Sequence, residues 1–181
     1  MRTAVFLFLS SLTQLLFSQE IPESIYSKKL GEVRTFTITL PANYESSTDK
    51  KYPTLLILDG EYLTSPFHGI IKYGNYWDDL PEMIIISVNQ NYGNKRFQDS
   101  AFDEMGLPFG TGANFFEFIG LELLPYIENK YRIQPFRIIA GHDTTAGFLN
   151  FYLYKDNPIF NAYISLAPEM APEMEKRIAD R

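Results

Sequence analysis

The feature that most constrains the fold is a set of short, almost wholly apolar runs spaced along the chain. They are TLLILDG (Thr54 to Gly60), MIIISV (Met83 to Val88), RIIA (Arg137 to Ala140) and AYISLA (Ala162 to Ala167). A strand with one wet face alternates apolar and polar residues, so a run that is apolar throughout needs cover on both faces. Between the second and third runs, Phe115, Phe118, Ile119, Leu123, Tyr126 and Ile127 recur at helical spacing. They predict a helix with one apolar stripe, bent at Pro125. Buried strands joined by helical crossovers predict an α/β fold, a mostly parallel sheet with helices on both faces. VRTFTITL (Val33 to Leu40) alternates instead, reads as a half-buried strand, and is closed by Pro41. Residues 19 to 30 read as a loose leader, and Asn89 to Gly112 as a long aperiodic loop of the kind that carries function.

At 181 residues and 45% hydrophobic content, the chain can bury one sizeable core, so residues 19 to 181 are expected to form a single domain. The net charge of −6 and the lack of a dense Lys/Arg patch argue against nucleic acid and anionic membrane surfaces as partners. Arg2, the apolar run from Ala4 to Phe17 and the Ser18-Gln19 junction read together as a secretory signal peptide over residues 1 to 18. The run is shorter than the ~20 residues that span a bilayer. With no cysteine, the chain carries neither a disulfide nor a lipidated cysteine. The expectation is a periplasmic or secreted protein with no membrane span after signal removal.

RIIAGHDTTAGFLNFYLY (Arg137 to Tyr154) reads as strand, sharp turn and helix. Hydrolases carry a nucleophilic serine on such a turn, written G-x-S-x-G, with small residues that let strand and helix approach. Here Gly141 fits, His142 follows it, Asp143 stands in place of serine, and Thr145 stands where glycine is expected. Aspartate is also among the best helix N-caps and tolerates a strained backbone, so a catalytic or binding role and a capping role both stay open. Elsewhere, Asp78 and Asp79 beside Trp77 read as separately solvated loop residues, and His68 in SPFHG as a loop or rim residue. Asp103, Glu104 and Glu82 lack metal-ligand spacing, and FGTGANF lacks the full nucleotide-binding pattern, so no metal or cofactor is expected. Phe67, Tyr73, Tyr76, Trp77, Tyr92, Phe97, Phe102 and Phe109 read as loop aromatics, some suited to stacking on a ligand.

Five segments carry a resemblance: RTFTITLPANY, KYPTLLILDGEY, MIIISVNQN, TGANFFEFIGLELLPYIENKYRIQPFRIIAGHD and NPIFNAYISLAP. In order and spacing they resemble the putative-esterase family of α/β hydrolases, which includes esterase D, enterobactin esterases and mycolyltransferases. The resemblance implies an α/β-hydrolase fold and hydrolysis or transfer of a small-molecule ester or glycoconjugate. It places the nucleophile site at Asp143 and one oxyanion donor on the N–H of Thr144. The second donor falls after Leu58-Asp59-Gly60, near Glu61, and Arg96 with Asp99 resembles the family's Arg-Asp pair that shapes the site.

Two departures follow. The family's acid and histidine come later in the chain than AYISLAP, whereas only His68 and His142 exist here, so the C-terminal part is expected to be missing and those groups to lie beyond Arg181. A carboxylate attacking an ester carbonyl also forms an adduct that expels the carboxylate, whose pKa of ~4 lies far below that of an alcohol. Aspartate works as a nucleophile at saturated carbon, to which none of these segments points, or as a general base on water. The expectation is an exported esterase-like hydrolase with Asp143 at the elbow, set against a non-catalytic ligand-binding member in which Asp143 caps the helix.

Overall fold

A computed structural model of the chain describes residues 19–90 and 92–180; the signal-peptide reading of residues 1–18 lies outside them. Six strands, β1 (Gln19–Ser27), β2 (Glu32–Leu40), β3 (Tyr52–Ile57), β4 (Ile84–Val88), β5 (Ile133–His142) and β6 (Ala162–Leu166), form one sheet in the order β1-β2-β4-β3-β5-β6. β4, β3, β5 and β6 run parallel, and β2 and β1 join antiparallel on one side. The helices are α1 (Gly60–Tyr76), α2 (Lys95–Asp99), α3 (Thr111–Phe118), α4 (Leu124–Lys130), α5 (Thr144–Leu153) and α6 (Met174–Ala179).

The apolar runs behave as their composition dictates, for every residue of β3 and β4 is buried. Phe36, Ile38, Leu56, Leu58, Ile84 and Ile86 point to one face and meet Phe115, Phe118, Ile119, Leu123, Ile127, Phe148 and Tyr152. Leu55, Ile57, Ile85 and Ala140 point to the other, beneath Leu63, Phe67 and Ile71 of α1. At about 1.5–3 kcal/mol for each large side chain removed from water, these two layers fix the sheet between its helices.

Four expectations change. The leader at residues 19 to 30 is largely β1, paired along its whole length with β2. Its inward positions include Glu23, whose carboxylate is only 5% exposed and accepts hydrogen bonds from Tyr126, Tyr131 and Lys130. Asp59-Gly60 starts a helix instead of ending in a loop, so His68, Phe67, Tyr73 and Tyr76 belong to α1. The long loop contains α2 and a bridge between Phe102 and Pro108. The bend at Pro125 is met by a π-helical segment, Ile119–Leu123, which separates α3 from α4. The N–H of Leu124 reaches back to the carbonyl of Ile119, an i to i+5 bond placed just before the residue that has no N–H to give.

Candidate active site

β3 and β5 are neighbours in parallel register, Ile57 opposite Ala140, so their C-terminal ends lie side by side. Each strand hands over to a helix through an aspartate with positive φ. Asp59 (φ 58°, ψ 39°) leads into α1, and Asp143 (φ 58°, ψ −118°) leads into α5. Such backbone states cost about 1–3 kcal/mol in non-glycine residues and persist only where their surroundings enforce them. The enforcement is tight at the elbow: a Cβ on Gly141 would come within 2.8 Å of Thr145 Oγ1 and 2.9 Å of Leu149 Cδ2.

Asp59, fully buried, is the hub. Its carboxylate accepts hydrogen bonds from Arg96 Nε at 2.6 Å, Thr145 Oγ1 at 2.6 Å and Tyr62 Oη at 3.1 Å. Arg96 also donates to the carbonyl of His142 at 2.9 Å and stands 3.6 Å from the Asp143 carboxylate. The bond to Asp59 holds the Arg96 guanidinium above its ordinary pKa, so it stays charged. Burial, then the Asp59 charge, raises the Tyr62 phenol, which stays protonated and able to donate. Tyr62 Oη also lies 3.0 Å from His142 Nδ1, with the two rings edge to face. Because the phenol has one proton and Asp59 can only accept it, His142 Nδ1–H donates to Tyr62 when that proton goes to Asp59.

Asp143 occupies the N-cap position of α5 but makes no side-chain capping hydrogen bond, and its side chain is 55% exposed. Its backbone is held on both sides: the N–H donates to the carbonyl of Leu166, and its own carbonyl accepts from Gly147 and Glu169. Thr144, the first residue of α5, is buried, and Glu61 lies in the first turn of α1 with its carboxylate accepting the N–H of Gln90 at 2.6 Å. First-turn N–H groups have no acceptor within their helix and favour negative charge.

Residues 27–173 match the family described as putative esterase. The chain belongs to the putative esterase family. Among solved structures it is similar to an uncharacterised protein from Capnocytophaga ochracea DSM 7271, at TM-score 0.78 and 28% identity over 86% of this chain. It is also similar to an IroE-like serine hydrolase from Shewanella oneidensis, at TM-score 0.75 and 22% identity over 90% of this chain. Ferric enterobactin esterase from Salmonella typhimurium is a third, at TM-score 0.67 and 18% identity over 84% of this chain. The chain spans 42%, 57% and 37% of those three structures. No curated protein matches it.

Of the residues that resemble the family's Arg-Asp pair, Arg96 pairs with Asp59 and not with Asp99. Asp99 is instead gripped by Arg34 of β2, at 2.7 Å from Nη1 and 2.5 Å from Nη2. Burial raises the Asp99 carboxyl while Arg34 pulls the other way. Arg34 is itself buried and holds the Asp99 carboxylate from β2, while Arg96 faces Asp59 and the His142 carbonyl. Gln90 links the two pairs, donating to Asp99 and accepting the N–H of Asp59, each at 3.3 Å. Arg34, Tyr62 and Gln90 escape a motif search. Only the phase of β2, in which Arg34 shares a face with Phe36 and Ile38, marks the arginine as inward.

Thr145, out of pattern as a β-branched residue, earns its place through its hydroxyl, which accepts the N–H of His142 at 2.9 Å while donating to Asp59. His68 lies at the middle of α1, away from the elbow at the helix's start. Asp103 accepts the N–H groups of Met105 and Leu107, both at 2.9 Å, as a loop brace. Among the described residues, no group of three or more His, Cys, Asp or Glu is placed to hold a metal ion, and no helix is long and apolar enough to cross a membrane.

Proposed function

We propose that this member of the putative esterase family acts on a small-molecule carboxylic ester, with Asp143 as the general base that activates water. The supporting observation is the elbow itself. Asp143 is held in a strained conformation with its carboxylate 55% exposed, and it makes no capping bond that would account for the residue. Water attack avoids the carboxylate adduct that reverts. The water proton moves to Asp143, the oxygen adds to the carbonyl carbon, and the alkoxide leaves with the proton returned through Asp143. N–H groups at Thr144 and Glu61 would receive the charge on the carbonyl oxygen, at about 3 kcal/mol per donor. Arg96 fixes the carboxylate from the side.

The names of the neighbours, an enterobactin esterase and ferulic acid esterases, support a small ester as substrate class. The N-terminal run from Ala4 to Phe17 supports export to the periplasm or outside the cell. Initial rates on p-nitrophenyl acetate test the reaction. D143A and D143N should lower the rate by about 10²-fold or more, the usual worth of a general base. Rates equal to wild type in both variants overturn the assignment.

The Arg96–Asp143 ion pair favours a second reading, a ligand-binding member that performs no turnover. It requires no esterase activity in the parent, together with saturable binding of a non-hydrolysable ester analogue that D143A weakens.

A further inference from the structure

α1 starts at the elbow, but its second half borders a separate cavity of about 180 Å³ at the opposite end of the sheet. The cavity lies where the end of β2 and the start of β4 meet α1, and Leu40, Pro41, Ile71, Met83 and Ile85 give it apolar walls. Thr39 lines it too, a residue only 2% exposed whose hydroxyl has no hydrogen-bond partner among the described residues. Buried hydroxyls are nearly always satisfied, so an orphan at the wall of a cavity points to a polar atom that belongs there. A χ1 rotation exchanges the positions of hydroxyl and methyl, and here it breaks no bond. On the α1 side of the cavity stands Lys72, which makes no ion pair among the described residues. The one carboxylate in the lining, Glu82, is already engaged by Asn43 and Lys50.

We propose that this cavity is a binding site for a small amphiphilic monocarboxylate, its carboxylate on Lys72, its chain along Ile71 and Met83, and a polar atom at Thr39. The size sets the class. The volume is well below the ~300–1,000 Å³ of sites for drug-sized ligands. A six-carbon chain with polar ends suits that volume. Since α1 also supplies Glu61 and Tyr62, the two sites share one rigid element and lie about 15 Å apart at 1.5 Å per helical residue.

The test is titration calorimetry with ω-hydroxyhexanoate, hexanoate and hexanediol. Hydroxyhexanoate should bind saturably, and each of the others about tenfold more weakly, the worth of one hydrogen bond or exposed ion pair. T39V, nearly isosteric, should make hydroxyhexanoate bind like hexanoate. K72Q, at an exposed position, should make it bind like hexanediol and remove the dependence on salt. Turnover of p-nitrophenyl acetate in the absence of probe should stay at the parent level in both. Three results overturn the proposal: no saturable binding of any probe, probe affinity unaltered by both T39V and K72Q, or probe affinity lost in D143A, which would put the ligand at the elbow.

Discussion

Asp59 shows why single residues at this site differ so much in what they are worth. It is a buried carboxylate with three side-chain donors, and those donors are not equivalent. Removing Arg96 leaves a buried charge without its cation, for which the cost is about 3–5 kcal/mol. Removing the Thr145 hydroxyl leaves the ion pair intact and costs about 1–3 kcal/mol. Urea denaturation should therefore rank R96M well below T145V, with both below the parent. Equal midpoints for R96M and parent would mean that solvent replaces the guanidinium at no cost, contrary to the hub role. At this scale the sequence was half legible. Gly141 and Asp143 stand at fixed spacing in one segment, so a motif exposes them, whereas Asp59, Arg96 and Thr145 meet only through the adjacency of β4, β3 and β5. Arg34 lies on β2 and Arg96 on α2 with Asp99 itself, and nothing local says which of the two takes that carboxylate.

At the scale of elements, legibility followed hydrophobic pattern and failed where polar groups do the packing. β3 and β4 announce themselves as unbroken apolar runs, while β1 places Glu23 at an inward position and hides its periodicity. Burial alone would raise that carboxyl, but hydrogen bonds from Lys130, Tyr126 and Tyr131 outweigh it and hold the pKa below 4.5. A carboxyl whose folded pKa is depressed adds stability at pH above the unfolded value of 4.5, and that stability disappears as pH falls through the folded pKa. Melting temperatures measured from neutral pH downward should fall less steeply below about pH 4.5 for E23Q than for the parent. Parallel curves would show that the β1–α4 tie is not electrostatic. Helix α1 was missed for another reason, since Pro66 and three glycines interrupt its propensity and only tertiary packing of Leu63, Phe67 and Ile71 sustains it. Helix α5 supplies the converse case. Alanine normally improves on a helical glycine by about 1 kcal/mol. At Gly147, however, a Cβ would come within 2.3 Å of the Glu169 carbonyl oxygen. G147A should thus destabilise by about 1–3 kcal/mol and loosen the segment after β6 that braces the elbow.

For the whole molecule, stability should grade across the sheet because cover does. β3 and β4 are central and buried at every position, whereas β6 has one strand neighbour among the described residues and is only partly buried along its length. α6 is held by a small separate cluster around Met174, Tyr154 and Ala171, outside the two main layers. Amide exchange reports local opening energies that run from near zero at poorly covered segments up to the global value in the core. Mass-resolved hydrogen exchange should find the amides of β3 and β4 opening only with global unfolding, and those of β6 and α6 opening earlier. Asp143 lies on the boundary, for its N–H is bonded to Leu166 at the end of β6 while its neighbour His142 is clamped by Arg96 to the core side. The elbow therefore inherits its precision from the central strands and its freedom from the edge. Uniform protection from β3 through β6 would contradict this division, because it would mean that the partly buried edge is as firmly held as the core.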